Sequence, residues 1–264
     1  MEFNERTLAD RLSEKRIGNY IQFFEEVEST NDVAFRLAES GVPEGTVVIA
    51  DCQTKGKGRL KRQWQSPPGC NIYTSIVLRP AIDPVYAPHI TLMTGVAVAD
   101  LLSGYCPENV TLKWPNDVHI RGKKVCGVLT EMSASTAKGV DFIIVGIGIN
   151  VNMGRVDFEE SFRDTATSLK EVVGREISRL DLTVKLFDNL EYLYTRLLAE
   201  GFGFLKDMWL RYSDMVGRHI QVVFNDYVQA GEVLGIDDFG ALIIADENDV
   251  IRRVMAGDAS IVKG

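Results

Sequence analysis

Residues 55–62 read Lys-Gly-Lys-Gly-Arg-Leu-Lys-Arg, five cations around two glycines in a chain whose formal net charge is −8. Gly56 and Gly58 let backbone N–H groups approach an anion, and the cations neutralise it. That is phosphate chemistry, although the G-x-x-x-x-G-K-[ST] spacing of a Walker loop is absent. A solvated basic loop or a nucleic-acid contact fits the same composition. A second stretch, Lys113-Trp114-Pro115-Asn116-Asp117-Val118, precedes Lys123-Lys124-Val125-Cys126-Gly127-Val128-Leu129. Proline cannot donate to a ladder, so Pro115 marks an edge or a bulge that re-aims Asn116 and Asp117. Lys124 falls where a turn meets a strand, able to hold an ammonium over a pocket. A hairpin with charged ends explains these residues too, but leaves Trp114-Pro115 without a reason. A third stretch, residues 145–152, alternates strictly, so Val145, Ile147, Ile149 and Val151 share one strand face and Gly146, Gly148, Asn150 and Asn152 the other. The second face is a bare backbone floor ending in amides, suited to a flat ring such as a purine. A strand crowded by a neighbouring helix would ask for the same glycines. The dinucleotide fingerprint is excluded, because the third glycine and the turn into a helix are missing.

These groups need elements to hold them. Ser29-Thr30-Asn31-Asp32 precedes a helical pattern from Val33 that Gly41 and Pro43 end. Residues 46–50 and 72–78 are β-branched runs, and the basic segment lies between them. Residues 90–102 predict a buried helix. Strand-like stretches follow near 109–120, 124–133 and 141–152, with Arg121-Gly122-Lys123 as the turn between the first two. Leu182, Leu186, Leu190, Leu193 and Leu197 recur at helical spacing within 179–200, and a second helix is expected over 204–212. After Met215-Val216-Gly217 the pattern changes to short strands near 220–224, 228–236, 241–245 and 250–255. About 48 residues of this kind suit a small SH3-like β-barrel. The expected domains are therefore 1–215 and 216–264.

Hydrophobic residues at 45% and charged residues at 25% exclude a disordered chain. Cys52, Cys70, Cys106 and Cys126 are too scattered for a zinc site and read as reduced thiols. No apolar run approaches the ~20 residues of a membrane span, and the charged amino terminus is unlike a signal peptide. A cytoplasmic protein without a membrane partner is expected. The acidic total disfavours DNA as a partner.

Taken in order, the segments Ser29–Asn31, Gly56–Trp64, Lys113–Asp117, Lys124–Glu131 and Gly146–Asn150 resemble the STN, GRGRxGRxW, KWPND, KxxGxL(x)xE and GxGxN motifs of biotin protein ligases. The likeness runs from about residue 23 to 152 and resumes with Gly240-Ala241-Leu242 and Gly257-Asp258. Two positions depart from it: Lys57 replaces an arginine and Lys61 a glycine, the latter expected to stiffen the loop. The resemblance implies an α/β (α+β) fold, a mixed-sheet, class II synthetase-like catalytic domain with flanking helices plus the SH3-like domain. It implies ATP and Mg²⁺ as cofactors and biotin as substrate, joined as biotinyl-5′-AMP and passed to a lysine of a biotin carboxyl carrier protein domain.

By the same resemblance, Ser29, Thr30, Asn31, Gln53, Gly56, Gly58, Arg59, Lys124 and Gly127 would bind biotin. Arg59, Arg62, Trp64, Asn116, Lys124 and Asn150 would bind ATP. Lys124, Arg59 and Asp117 carry the chemistry, with Asp117 either a magnesium ligand or the base for the incoming amine. About 28 residues precede the first motif, too few for the helix-turn-helix of the family's repressors, so a monofunctional type is expected. A homodimer built by sheet extension is compatible with the family. Lipoate ligases share the architecture, but their arginine-rich segment and triple glycine are not found. A biotin or nucleotide sensor would have no need of the phosphate-neutralising cations.

Overall fold

The β-branched runs pair into two separate sheets in the computed structural model, which describes residues 2–107, 110–135, 139–224 and 227–261. Helix α1 (Glu5–Leu12) is capped by Asn4, whose side chain accepts from the Thr7 N–H at 3.0 Å. Strand β1 (Tyr20–Val27), helix α2 (Thr30–Glu39) and strand β2 (Thr46–Gln53) form a parallel crossover unit. Ala34 and Ala38 are the small residues that let α2 lie close on the sheet against Val48, Val77 and Ile144.

Strand β3 (Ile72–Leu78) is buried at every residue and runs antiparallel to β2. Helix α3 (Ala87–Ser103) follows, then β4 (Val110–Lys113), β5 (Asp117–Ile120), β6 (Lys123–Ser135) and β7 (Gly139–Ile149). The sheet order is β1-β2-β3-β7-β6-β5-β4, with β1 and β2 the one parallel pair among the described residues. This is the expected mixed sheet with flanking helices. Val145, Ile147 and Ile149 enter the main core together with α3, as strict alternation requires.

Two expectations need correction. The stretch near 109–120 is not one strand: Val110 pairs with Ile120 and Lys113 with Asp117, so the chain reverses over residues 114–116. Pro115 has no donor for a ladder, and buried Trp114 anchors the reversal by donating from Nε1 to the Gly240 carbonyl at 3.0 Å. Asn109, at the start of that stretch, lies outside the described residues. Secondly, residues 84–103 do form a 20-residue helical stretch apolar enough, by length and composition, to cross a membrane. It is two-thirds buried within the protein, between the sheet and the helices that follow, and serves as the core helix.

Those helices are α4 (Leu169–Val173), α5 (Arg179–Glu200) and α6 (Gly203–Tyr212). All five leucines of the predicted stripe on α5 are buried. The carboxy-terminal strands β8 (His219–Phe224), β9 (Tyr227–Ile236), β10 (Leu242–Ala245), β11 (Ile251–Val254) and β12 (Asp258–Ile261) form a separate antiparallel sheet in the order β11-β10-β9-β8-β12. Its 237–240 turn docks on the start of α3. His89 Nε2 lies 2.9 Å from the Asp238 carbonyl, and Tyr86 stacks on Phe239. Gly240 sits at φ 81°, where a Cβ would fall 2.8 Å from Leu92 Cδ1, so both backbone conformation and contact demand glycine.

Candidate active site

The floor of the site is the pair Gly127 and Gly148, which face each other across β6 and β7. A Cβ on Gly148 would lie 2.5 Å from Trp64 Nε1, and one on Gly127 would lie 2.9 Å from Trp64 Cζ3. The indole therefore rests directly on the two glycines. On Gly146 a Cβ would meet Asn31 Oδ1 at 2.1 Å. The glycines are there for close approach, as the alternation suggests, but the occupants are protein side chains and not a purine. That corrects the expected bare floor. Along β7 the order is Asn31 over Gly146, Trp64 over Gly148, then Asn150.

The basic segment is a tight hairpin. Gly58 N–H donates to the Arg62 carbonyl at 2.7 Å and Trp64 N–H to the Gly56 carbonyl at 2.9 Å. Its tip puts Leu60 (φ 54°) and Lys61 (φ 61°) in the left-handed region, which costs a non-glycine residue roughly 1–2 kcal/mol. Lys61 thus occupies a position where glycine would be free of strain. Ion pairs hold the hairpin on both sides. Lys57 pairs with Asp32 and lies 4.0 Å from Glu131. Arg59 donates to Asn116 Oδ1 at 3.1 Å and to the Gly257 carbonyl at 3.2 Å, and Arg62 meets Asp258 at 2.5 Å. Burial pushes the Arg59 guanidinium below its ordinary value, and the carboxylates of Asp258 and Asp117 counter that effect.

Lys124 has its backbone clamped, its N–H donating to Thr165 and its carbonyl accepting from Thr167. The ammonium lies 2.7 Å from Asp117 Oδ1 and 5.2 Å from the centre of the Trp64 ring. Asn116 spends both ends of its amide, accepting from Arg59 and donating to the Val128 carbonyl at 2.8 Å. Asn150 donates from Nδ2 to the Thr167 carbonyl at 3.1 Å.

The Ser29–Asn31 segment divides in its availability. Thr30 N–H and Oγ1 both donate to Gln53 Oε1, at 2.9 and 3.0 Å, and Gln53 in turn donates to Ser66 Oγ. Asn31 is engaged at both ends, its Oδ1 lying 2.6 Å from Ser75 Oγ and its Nδ2 donating to Glu131 at 2.7 Å. Ser29 is different. It is the N-cap of α2, yet its hydroxyl caps nothing and is buried without a partner among the described residues.

These groups line one cavity of about 510 Å³, with Ser29, Thr30, Asn31, Gln53, Gly58, Arg59, Arg62, Trp64, Asn116, Asp117, Lys124, Gly127 and Asn150 all in its wall. Gly56 is not among them; it lines a larger groove on the other side of the hairpin. The cavity wall carries five cations against three carboxylates, a surface for an anion. Sequence reasoning missed His119 and Asp258. His119 follows Asp117 by two residues on β5, and period two alone places both on the cavity face. Burial holds its imidazole below the ordinary value, and Nε2 has no partner among the described residues. The likeness resumes at Gly257-Asp258 but gives Asp258 no role in the site, to which the second sheet brings it.

Among the described residues no three His, Cys, Asp or Glu side chains converge as a metal cage. Magnesium usually binds through one or two carboxylates plus substrate phosphates, so it fits here only as a companion of a nucleotide, beside Asp117.

Residues 23–150 match the biotin/lipoate A/B protein ligase family, and residues 216–262 match the biotin protein ligase C-terminal domain. The bifunctional ligase/repressor BirA of Bacillus subtilis is 34% identical over 260 residues, covering 98% of this chain and 79% of that protein. The biotin–[acetyl-CoA-carboxylase] ligase of Paracoccus denitrificans is 33% identical over 82% of this chain and 90% of its own length. A solved biotin protein ligase from Aquifex aeolicus, in complex with biotin and ATP, superposes with a TM-score of 0.80 at 31% identity, over 93% of this chain and 99% of that one. Fold, cavity and relatives agree: this chain belongs to the biotin protein ligase family.

Proposed function

We propose that the cavity joins biotin and ATP as biotinyl-5′-AMP, releasing pyrophosphate, and passes the biotinyl group to a lysine of a biotin-dependent carboxylase. The observation that carries this reading is the cavity's layout. The Ser29 hydroxyl, without a partner among the described residues, lies in the wall with Thr30, Asn31 and Gln53, and the Lys124, Arg59 and Arg62 cations line the wall with Trp64. The ureido group belongs at the first and the carboxylate with the phosphates at the second.

In the first step the biotin carboxylate oxygen attacks the α-phosphorus and the bond to the β-phosphate breaks. Lys124 offsets charge on both reacting groups, and Arg59 and Arg62 take phosphate oxygens. Asn116 aims Arg59, and Trp64 covers the nucleotide on its glycine floor. The free carbonyl side of the Asn150 amide is the candidate partner for the adenine edge. Thr30, Asn31 and Gln53 brace the wall behind Ser29, and Gly56, Gly58 and Gly127 admit close backbone or ring approach. In the second step the acceptor amine attacks the biotinyl carbonyl carbon and AMP leaves. Asp117 is the candidate to take the amine's proton, and also the carboxylate that would hold magnesium, which neutralises phosphate charge when bound. The hairpin keeps water from the mixed anhydride meanwhile. The two units, 1–215 and 216–264, both serve this site, and the acceptor lysine is assigned to a biotin carboxyl carrier protein domain.

The experiment is pyrophosphate release from ATP with biotin, with lipoate and with neither. Release that depends on biotin alone is expected. Release with lipoate would overturn the pocket assignment, and no release with either acid, in protein shown to be folded, would make a binding module the better account.

Ser29→Ala supplies a second check. Among the described residues the hydroxyl bonds nothing, so its removal should not lower stability. Biotin affinity should fall by about tenfold, the size of one buried hydrogen bond. Calorimetric titration with biotin reads the affinity and a denaturant melt the stability; unchanged biotin affinity would remove Ser29 from the ureido site.

A further inference from the structure

We propose that Asp258, supplied by the carboxy-terminal sheet, is an internal counter-anion that holds Arg59 and Arg62 until nucleotide phosphate displaces it. This rests on the reading that the two arginines receive phosphate. Asp258 contributes one carboxylate oxygen to each guanidinium, 2.5 Å from Arg62 Nη2 and 3.5 Å from Arg59 Nη1. Both arginines come from the same hairpin, three residues apart, and the carboxylate comes from the other sheet. Its placement is rigid. Asp258 pairs with Val223 in the β8–β12 ladder, and a Cβ on the preceding Gly257 would fall 2.5 Å from Val222 Cγ1.

A carboxylate and a phosphate ask the same thing of a guanidinium, two donors aimed at two oxygens, and a phosphate offers more charge. Asp258 also lines the cavity that holds Lys124. A triphosphate reaching the arginines must therefore take them from Asp258 or lie beside its negative charge, and either way Asp258 opposes entry. The exchange does not dismantle the hairpin. Arg59 keeps its bond to Asn116, Lys57 keeps Asp32, and Arg62, at 68% exposure, is free to turn. With no phosphate present, Asp258 relieves the repulsion among cations crowded into one wall. Its return as product leaves would close the cycle.

The rival role is a plain domain tether that presets Arg59 for phosphate. The two roles predict opposite signs. Asp258→Asn keeps the shape and one acceptor oxygen but removes the charge. Binding of ATP and of adenosine would be measured calorimetrically with biotinol present, since a biotin lacking its carboxylate cannot react. As a counter-anion, Asp258→Asn should bind ATP about fivefold tighter, the size a partly exposed ion pair carries, with adenosine unchanged. Asp258→Ala should shift in the same direction if the asparagine variant fails to fold. ATP binding unchanged or weaker, in protein that still binds adenosine, would overturn the proposal. Arg62→Ala separates the two layers. It should weaken ATP and leave adenosine alone; if it leaves ATP binding untouched, the phosphate reading itself has failed and the counter-anion falls with it.

Discussion

Replacing Lys124 by alanine is expected to slow biotin-dependent pyrophosphate release by about a hundred- to a thousandfold, the usual loss when one preorganised charge stabiliser is removed. Biotin binding should weaken far less, by under about tenfold, because only the carboxylate end of the ligand loses a partner. The geometry sets this asymmetry. The Lys124 backbone is clamped by Thr165 and Thr167, and its ammonium stands between Asp117 and the Trp64 ring. Charge fixed in that way costs no reorganisation as the α-phosphate gains electron density. Single-turnover pyrophosphate release gives the rate, and a biotin titration of the same variant gives the affinity. A near-normal rate would remove Lys124 from the adenylation step, and an equal loss in both would make it a general anchor for biotin.

Gly148→Ala should be nearly as damaging, although no side chain is removed. The new methyl would stand 2.5 Å from Trp64 Nε1 and 2.6 Å from Cε2, and below it lies the sheet, where Gly148 pairs with Tyr73 and Gly127. A strand in the middle of a sheet cannot give way, so the indole must lift. Overpacking of this kind costs about 1–3 kcal/mol of stability, read from a denaturant melt. ATP affinity should fall by more than about tenfold as the ring leaves its seat, since a base stacked on an aromatic ring carries ~1–3 kcal/mol. The decisive control is a double-mutant cycle with Trp64→Ala. Once the indole is gone, Gly148→Ala should cost little further, and a full cost in that background would show that the glycine serves the strand and not the tryptophan.

The elements of the fold were legible where one physical rule dominated. The leucine stripe of α5 and the alternation of β7 are periodicities, and a periodicity survives whatever packs against it. The reversal at residues 114–116 was hidden because β4 and β5 are only four residues each and read together as one strand with a flaw. Helix α1 and strand β1 carry polar faces over much of their length, which left the local signal weak.

For the site, sequence alone determined which chemistry was available: cations and glycines at 55–62, the Asn116–Asp117 pair beside Lys124, and glycines at alternate positions of β7. Those are properties of residue type and spacing. What a given group is free to do was decided by tertiary structure. Ser29, Thr30 and Asn31 look alike in the chain, yet Gln53, Ser75 and Glu131 satisfy the latter two and leave the Ser29 hydroxyl without a partner among the described residues. The glycine floor called for a flat ring, and the ring proved to be the protein's own Trp64. Asp258 reaches the arginines from about two hundred residues away, through a sheet whose docking no local pattern encodes. Hydrogen-bond saturation and charge pairing are contests among all groups within reach, and only the folded chain determines which groups those are.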